Sequence, residues 1–174
     1  QKDFQSLDTV VYVKDIPGGG RFSTLAGSMD VTFYAPGIIR LQIDAHDKPD
    51  YGLLTASPQE MDVTVKPIKE GHRLESGNVA FDVLNAPMRI ALYKDEQVVL
   101  ESVTDRAFFG NLRWYPFARS EDAWLVTLAL RSGLPVYGLG EKFGPLNRKG
   151  QMISSWNEDA TNINAELSYK NTPF

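Results

Sequence analysis

Residues Glu75 to Ser102 read ESGNVAFDVLNAPMRIALYKDEQVVLES, and this stretch decides the fold class. Val79–Asn85, Met88–Lys94 and Gln97–Ser102 are short runs rich in Val, Leu, Ile, Phe and Tyr. Asn85-Ala86-Pro87 and Asp95-Glu96 fall between them, where turns are needed. Runs of this length bounded by turn residues fit strands of an antiparallel meander, not a helix with a 3.6-residue period.

The pattern extends in both directions. Upstream, Gly71–Ser76 and Met61–Ile68 alternate in the same way, and Thr9–Lys14 is β-branched and aromatic. Arg21–Ala26 and Met29–Ala35 flank Gly27-Ser28, which predicts a tight hairpin. In Ile38–Asp44, Ile39, Leu41 and Ile43 share one face and Arg40, Gln42 and Asp44 the other, as in a half-buried strand. Downstream, Phe108–Trp114 and Trp124–Leu130 are strands, with Arg119–Asp122 a charged turn between them. Gly18-Gly19-Gly20 is read as a flexible hairpin turn, since no helix follows to make a phosphate loop. No capped helical period occurs before residue 130, and no exact internal repeat is visible. Strand-turn-strand spacing of about 8–12 residues predicts an all-β antiparallel sandwich or barrel.

Composition excludes several functions. The chain has 174 residues, 43% hydrophobic and 23% charged, which suits a globular domain. A net charge of −4 with scattered basic residues argues against a nucleic-acid partner. The absence of Cys removes thiol catalysis and zinc–thiolate sites. No apolar run reaches the roughly 18 residues of a membrane-spanning helix, so no membrane partner is expected. The start at Gln1-Lys2-Asp3 leaves the compartment open.

Chemistry-bearing residues gather in few places. Asp44, His46, Asp47 and Asp50 lie close together, but Pro49 interrupts them and Gly52 comes late for a calcium loop. They are read as a solvated loop, with no metal. His46 and His72 are the two histidines, and no nucleophile elbow accompanies them. His72 reads as the start of an exposed strand. In the tail, Glu141 within Gly140–Lys142 reads as a structural acid near a strand end. Glu158-Asp159 is the other acidic candidate. Trp156-Asn157-Glu158-Asp159-Ala160-Thr161 admits two readings. It is either an indole platform edged by sugar-matching polar groups or an Asx-type turn after a buried Trp.

The segments YGLGEKFGPLNRKGQ, WNEDAT and YKNTPF, together with PGIIRLQI and the strand series opening on Glu75, resemble the N-terminal region of glycoside hydrolase family 31. Within that family the α-xylosidase and α-glucosidase branch is the most similar. The resemblance implies a β-sandwich of the galactose-mutarotase-like, or supersandwich, type. It assigns residues 1–136 to the sandwich. Residues 137–174 become the last strand or strands and a substrate-contacting loop of the same domain. A (β/α)8 barrel carrying the nucleophile and acid/base, both Asp, would follow; neither its length nor its βα pattern is present here. The implied activity of the parent is hydrolysis of α-linked oligosaccharides or glycosides with retention and without a cofactor. The segment alone is expected to be inactive. Carried over residue by residue, Asp159 and Thr161 of the Asn157–Thr161 stretch contact substrate, with Trp156 and Asn157 beside them. The implied partners are the sugar and the barrel of the same polypeptide, with room for a homo-oligomer. A stand-alone carbohydrate-binding module is the alternative. A mutarotase-type enzyme is suggested by fold analogy alone; it would need catalytic His and Glu groups facing one cleft, and fails if His46 and His72 lie far apart on exposed loops.

Overall fold

A computed structural model of the chain describes residues 4–44, 57–104, 106–108, 112–121, 123–140 and 144–154. It divides into two compact units, Gln1–Ala129 and Leu130–Phe174. Among the described residues there is no helix.

The first unit opens on the short strand β1 (Gln5–Ser6). Strands β2 (Tyr12–Ile16), β3 (Gly19–Ser23), β4 (Ser28–Ala35) and β5 (Ile38–Ile43) then form a four-stranded antiparallel meander. Strands β6 (Thr64–Ile68), β7 (Gly71–Ser76), β8 (Val79–Leu84), β9 (Arg89–Lys94) and β10 (Gln97–Glu101) form a five-stranded one. β11 (Arg106–Phe108) pairs with β12 (Leu112–Trp114), so the single strand expected over Phe108–Trp114 is part of a hairpin. β13 (Phe117–Arg119) and β14 (Trp124–Val126) complete a small sheet in the order β1-β13-β14. Beyond β14, Val103 N–H donates to the Thr127 carbonyl and Ala129 N–H to that of Glu101, around a Ser102–Leu128 bridge. These bonds join the small sheet to the edge of the five-stranded one.

Alternation along the strands builds the core. Phe22 of β3 and Met29, Val31 and Phe33 of β4 are fully buried, as are Leu74 of β7 and Phe81 and Val83 of β8. Leu7, Met88, Ile90 and Phe117 close the same cluster. The Phe22 and His72 rings, from facing sheets, meet at 5.9 Å. The result is an antiparallel sandwich, held mainly by apolar burial at roughly 25 cal/mol per Å². β5 follows the expected alternation only in part: Ile39 and Ile43 pack on the core, while Leu41 stays 38% exposed.

Three expectations need correction. Of Gly18-Gly19-Gly20, only Gly18 makes the turn; Gly19 and Gly20 are buried residues of β3. A Cβ on Gly19 would stand 1.9 Å from the Val31 carbonyl oxygen, so only glycine lets the two backbones run this close. His72 is not on an exposed strand; it is half-buried, with Nδ1 sealed from water beside Phe22. Asp44 is not solvated. It is 7% exposed, and its Oδ1 accepts the Ser28 N–H at 2.9 Å. Oδ2 lies 3.4 Å from the Arg119 guanidinium, which also donates to the Ala26 carbonyl and stacks on Trp124. His46, Asp47 and Asp50 lie outside the described residues.

The strand register reveals a repeat that the bare sequence hides. Arg21 pairs with Asp30 and Gly19 with Thr32; Arg73 pairs with Asp82 and Gly71 with Leu84, at one constant offset. Val13, Lys14, Ile16, Gly19, Arg21, Asp30 and Val31 recur as Val65, Lys66, Ile68, Gly71, Arg73, Asp82 and Val83. In both copies the Arg and Asp form a two-pronged ion pair, with Nε–Oδ1 distances of 2.6 Å. The facing carboxylate holds both guanidinium groups above their ordinary range. Asp82 is 4% exposed, and leaving a carboxylate so buried without its partner would cost about 3 kcal/mol.

Candidate functional site

The tail that carries the candidate sugar-contacting residues begins in the second unit. Asn147 builds its described part. Its Oδ1 accepts the Lys149 N–H at 3.1 Å, an Asx turn, and also the Val136 N–H at 3.0 Å. The Val136 carbonyl in turn accepts the Arg148 N–H at 2.7 Å. Residues 136 and 148 are thereby closed into a neck at the base of a surface loop, the kind of segment that carries function. Gln151 N–H bonds to the Arg148 carbonyl, its side chain to the Asn147 carbonyl, and Lys149 Nζ to the Arg131 carbonyl. Arg148 itself is buried, 7% exposed.

Tight curvature within the loop explains its composition. Gly138, Leu139 and Gly140 have φ of 93°, 69° and 85°, a conformation that costs a side-chain-bearing residue about 1 kcal/mol or more. Gly-Leu-Gly confines that cost to one position.

Trp156, Asn157, Asp159 and Thr161 lie outside the described residues, as do Glu141 and Glu158. Asn147 is not among the residues that the sequence singles out in the tail. The signal was present: an Asn followed by Arg-Lys-Gly is a turn former with a mechanism.

Among the described residues of the first unit, the buried carboxylates are Asp30, Asp44 and Asp82. Asp30 faces Arg21, Asp82 faces Arg73, and Asp44 is held by Ser28 N–H and Arg119. Each is committed to a fixed structural partner. Among the described residues no group of three or more His, Cys, Asp or Glu could hold a metal ion. His72 turns toward Phe22 in the sandwich interior, so it offers no ring to a surface cleft.

The family model described as the glycosyl hydrolase 31 N-terminal galactose mutarotase-like domain matches residues 28–174. Over 50 residues the chain is 50% identical to an alpha-xylosidase of Emericella nidulans, a match spanning 29% of this chain and 6% of that one. The fold is similar to a GH31 dextranase of Flavobacterium johnsoniae solved with glucose. That likeness has a TM-score of 0.70 at 18% identity and covers 98% of this chain and 21% of the dextranase. A cycloalternan-forming enzyme of Listeria monocytogenes, solved with a pentasaccharide, is similar with a TM-score of 0.65 at 14% identity, over 91% of this chain and 15% of that one. The chain therefore spans only a small part of the length of these relatives, and at such identities the solved structures establish the fold. The all-β sandwich described above is of the galactose-mutarotase-like type, and the chain belongs to the glycosyl hydrolase 31 N-terminal domain family.

Proposed function

We propose that this domain is the N-terminal part of a retaining α-glycosidase, an α-xylosidase or α-glucosidase that hydrolyses α-linked sugars. The observation that carries the reading is the family match running through the tail to residue 174, joined by the local identity to an alpha-xylosidase. In this reading residues 1–136 are the supporting sandwich. Residues 137–174 form its last segment and the loop that reaches the substrate. Trp156 offers an apolar face to a sugar ring, while Asn157, Asp159 and Thr161 pair with its hydroxyls. The nucleophile and acid/base, both Asp, belong to a barrel in the same polypeptide and act by double displacement through a covalent glycosyl-enzyme. The 174 residues alone are inactive, a reading supported by the structural commitment of the buried acids Asp30, Asp44 and Asp82.

The test is to express the complete gene product beside the 174-residue chain and assay nitrophenyl α-xyloside and α-glucoside. Hydrolysis with retention is expected only from the former. In that protein Asp159→Ala is expected to raise KM about tenfold with less change in kcat, the loss of one hydrogen bond to a charged acceptor. Turnover by the 174-residue chain, or none by the complete product, overturns the proposal.

A further inference from the structure

Where the Ser102–Leu128 bridge follows the end of β10, the sandwich carries an open groove of about 570 Å³. Trp114, Glu101, Ser102, Thr104, Thr127 and Leu128 line it. Trp114 is 54% exposed, a large area of indole to leave facing water. Around it stand the apolar Val103, Leu128 and Ala129 together with a small set of polar groups. Thr104 and Thr127 each bring a hydroxyl able to donate and accept, and Glu101 brings a carboxylate that only accepts. Ser102 Oγ already accepts the Ile90 N–H at 3.0 Å, which leaves its O–H to donate.

This lining selects among ligands. Among the described lining residues no Lys, Arg or His is present, and Glu101 is negative, so an anionic ligand is disfavoured. A wholly apolar ligand would cover the Thr104 and Thr127 hydroxyls and the Glu101 carboxylate without giving them partners, each at a cost. A neutral polyhydroxylated ring satisfies both demands: its C–H face lies on an indole and its hydroxyls meet donors and acceptors around the rim. The volume falls in the ordinary range for small-ligand sites, with room for more than one sugar ring.

We infer that the Trp114 groove is a saccharide-binding site on the sandwich itself, taking a neutral α-linked oligosaccharide. The inference shares with the proposed function the expectation that the parent acts on α-linked sugars, but it rests on residues of the first unit alone. The groove would hold a stretch of a longer substrate chain and raise its local concentration.

Maltotriose titrated into the 174-residue chain, followed by proton–nitrogen correlation spectra, tests this. Saturable shifts are expected at the Trp114 indole and at the Thr104 and Thr127 amides. Trp114→Ala is expected to weaken binding about tenfold, the worth of one stacked aromatic. Thr104→Val, an exposed change that leaves the core untouched, is expected to weaken it severalfold and guards against a Trp114 variant that fails to fold. If no saturable shift appears at these residues, or if both variants bind as the parent does, the inference is wrong. If shifts arise only in the tail and vanish with Trp156→Ala, the groove is refuted while the tail subsite stands. Hydrolysis by the complete gene product decides the proposed function separately.

Discussion

Tyr93 shows how one side chain reports on its surroundings. The Arg73 guanidinium sits 4.9 Å from its ring centre, and Arg73 is itself gripped by Asp82. Burial pushes the Tyr93 phenol above its ordinary value of 10.0, and the neighbouring Asp82 carboxylate adds to the shift against the opposing pull of Arg73. The folded chain therefore keeps a proton that the unfolded chain releases. Stability from this group is fully present below pH 10.0 and is lost as pH rises through the raised folded value. Urea denaturation across the alkaline range is expected to show that decline, and Tyr93→Phe to flatten it; an unchanged slope would remove Tyr93 as its source. At this scale the sequence was least informative. Asp44 lay among other acids and looked solvated, because its partners Ser28 and Arg119 stand far from it along the chain.

Hairpins are the scale at which the sequence spoke most clearly. Asp95-Glu96 reads as a turn from the sequence, and Lys94 pairs with Gln97 across it. Both central residues have positive φ, 49° and 61°, the geometry of a type I′ turn that matches strand twist. Asp tolerates this conformation better than Glu does. Glu96→Gly is expected to stabilise the chain by about 1 kcal/mol, read as a rise in the thermal midpoint; a fall would mean that the Glu96 side chain makes a compensating interaction. Turn residues are legible because a two-residue loop is specified locally. β1, two residues long, carries no such signal, since its existence depends on β13 more than a hundred positions away. The bridge at Ser102–Leu128 is likewise non-local, although over a shorter stretch of chain. In the tail, the Gly-rich composition is visible, but the neck closed by Asn147 depends on its bond to Val136, eleven positions away, which composition does not show.

Over the whole domain, the sandwich class followed from strand and turn spacing, while the recurrence of one motif in its two facing sheets did not. The identities are spread over alternate and distant positions, so they align only once the pairing of β3 with β4 and of β7 with β8 is known. The glycines that open β3 and β7 face the same steric demand. A Cβ would stand 1.9 Å from the Val31 carbonyl oxygen at Gly19 and 2.1 Å from that of Val83 at Gly71. Gly19→Ala and Gly71→Ala are each expected to cost about 3 kcal/mol or more, because backbone rather than a pliable side chain must yield. Chemical denaturation checks this, and a large loss at one site with none at the other would break the equivalence. Residues 13–31 and 65–83 are in effect two versions of one sentence, and a variant in either can be read against its unaltered counterpart. Where counterparts respond alike, the motif itself sets the energy. Where they diverge, as the Gly20 and His72 positions are placed to do, the difference measures what each sheet has acquired from its own neighbours.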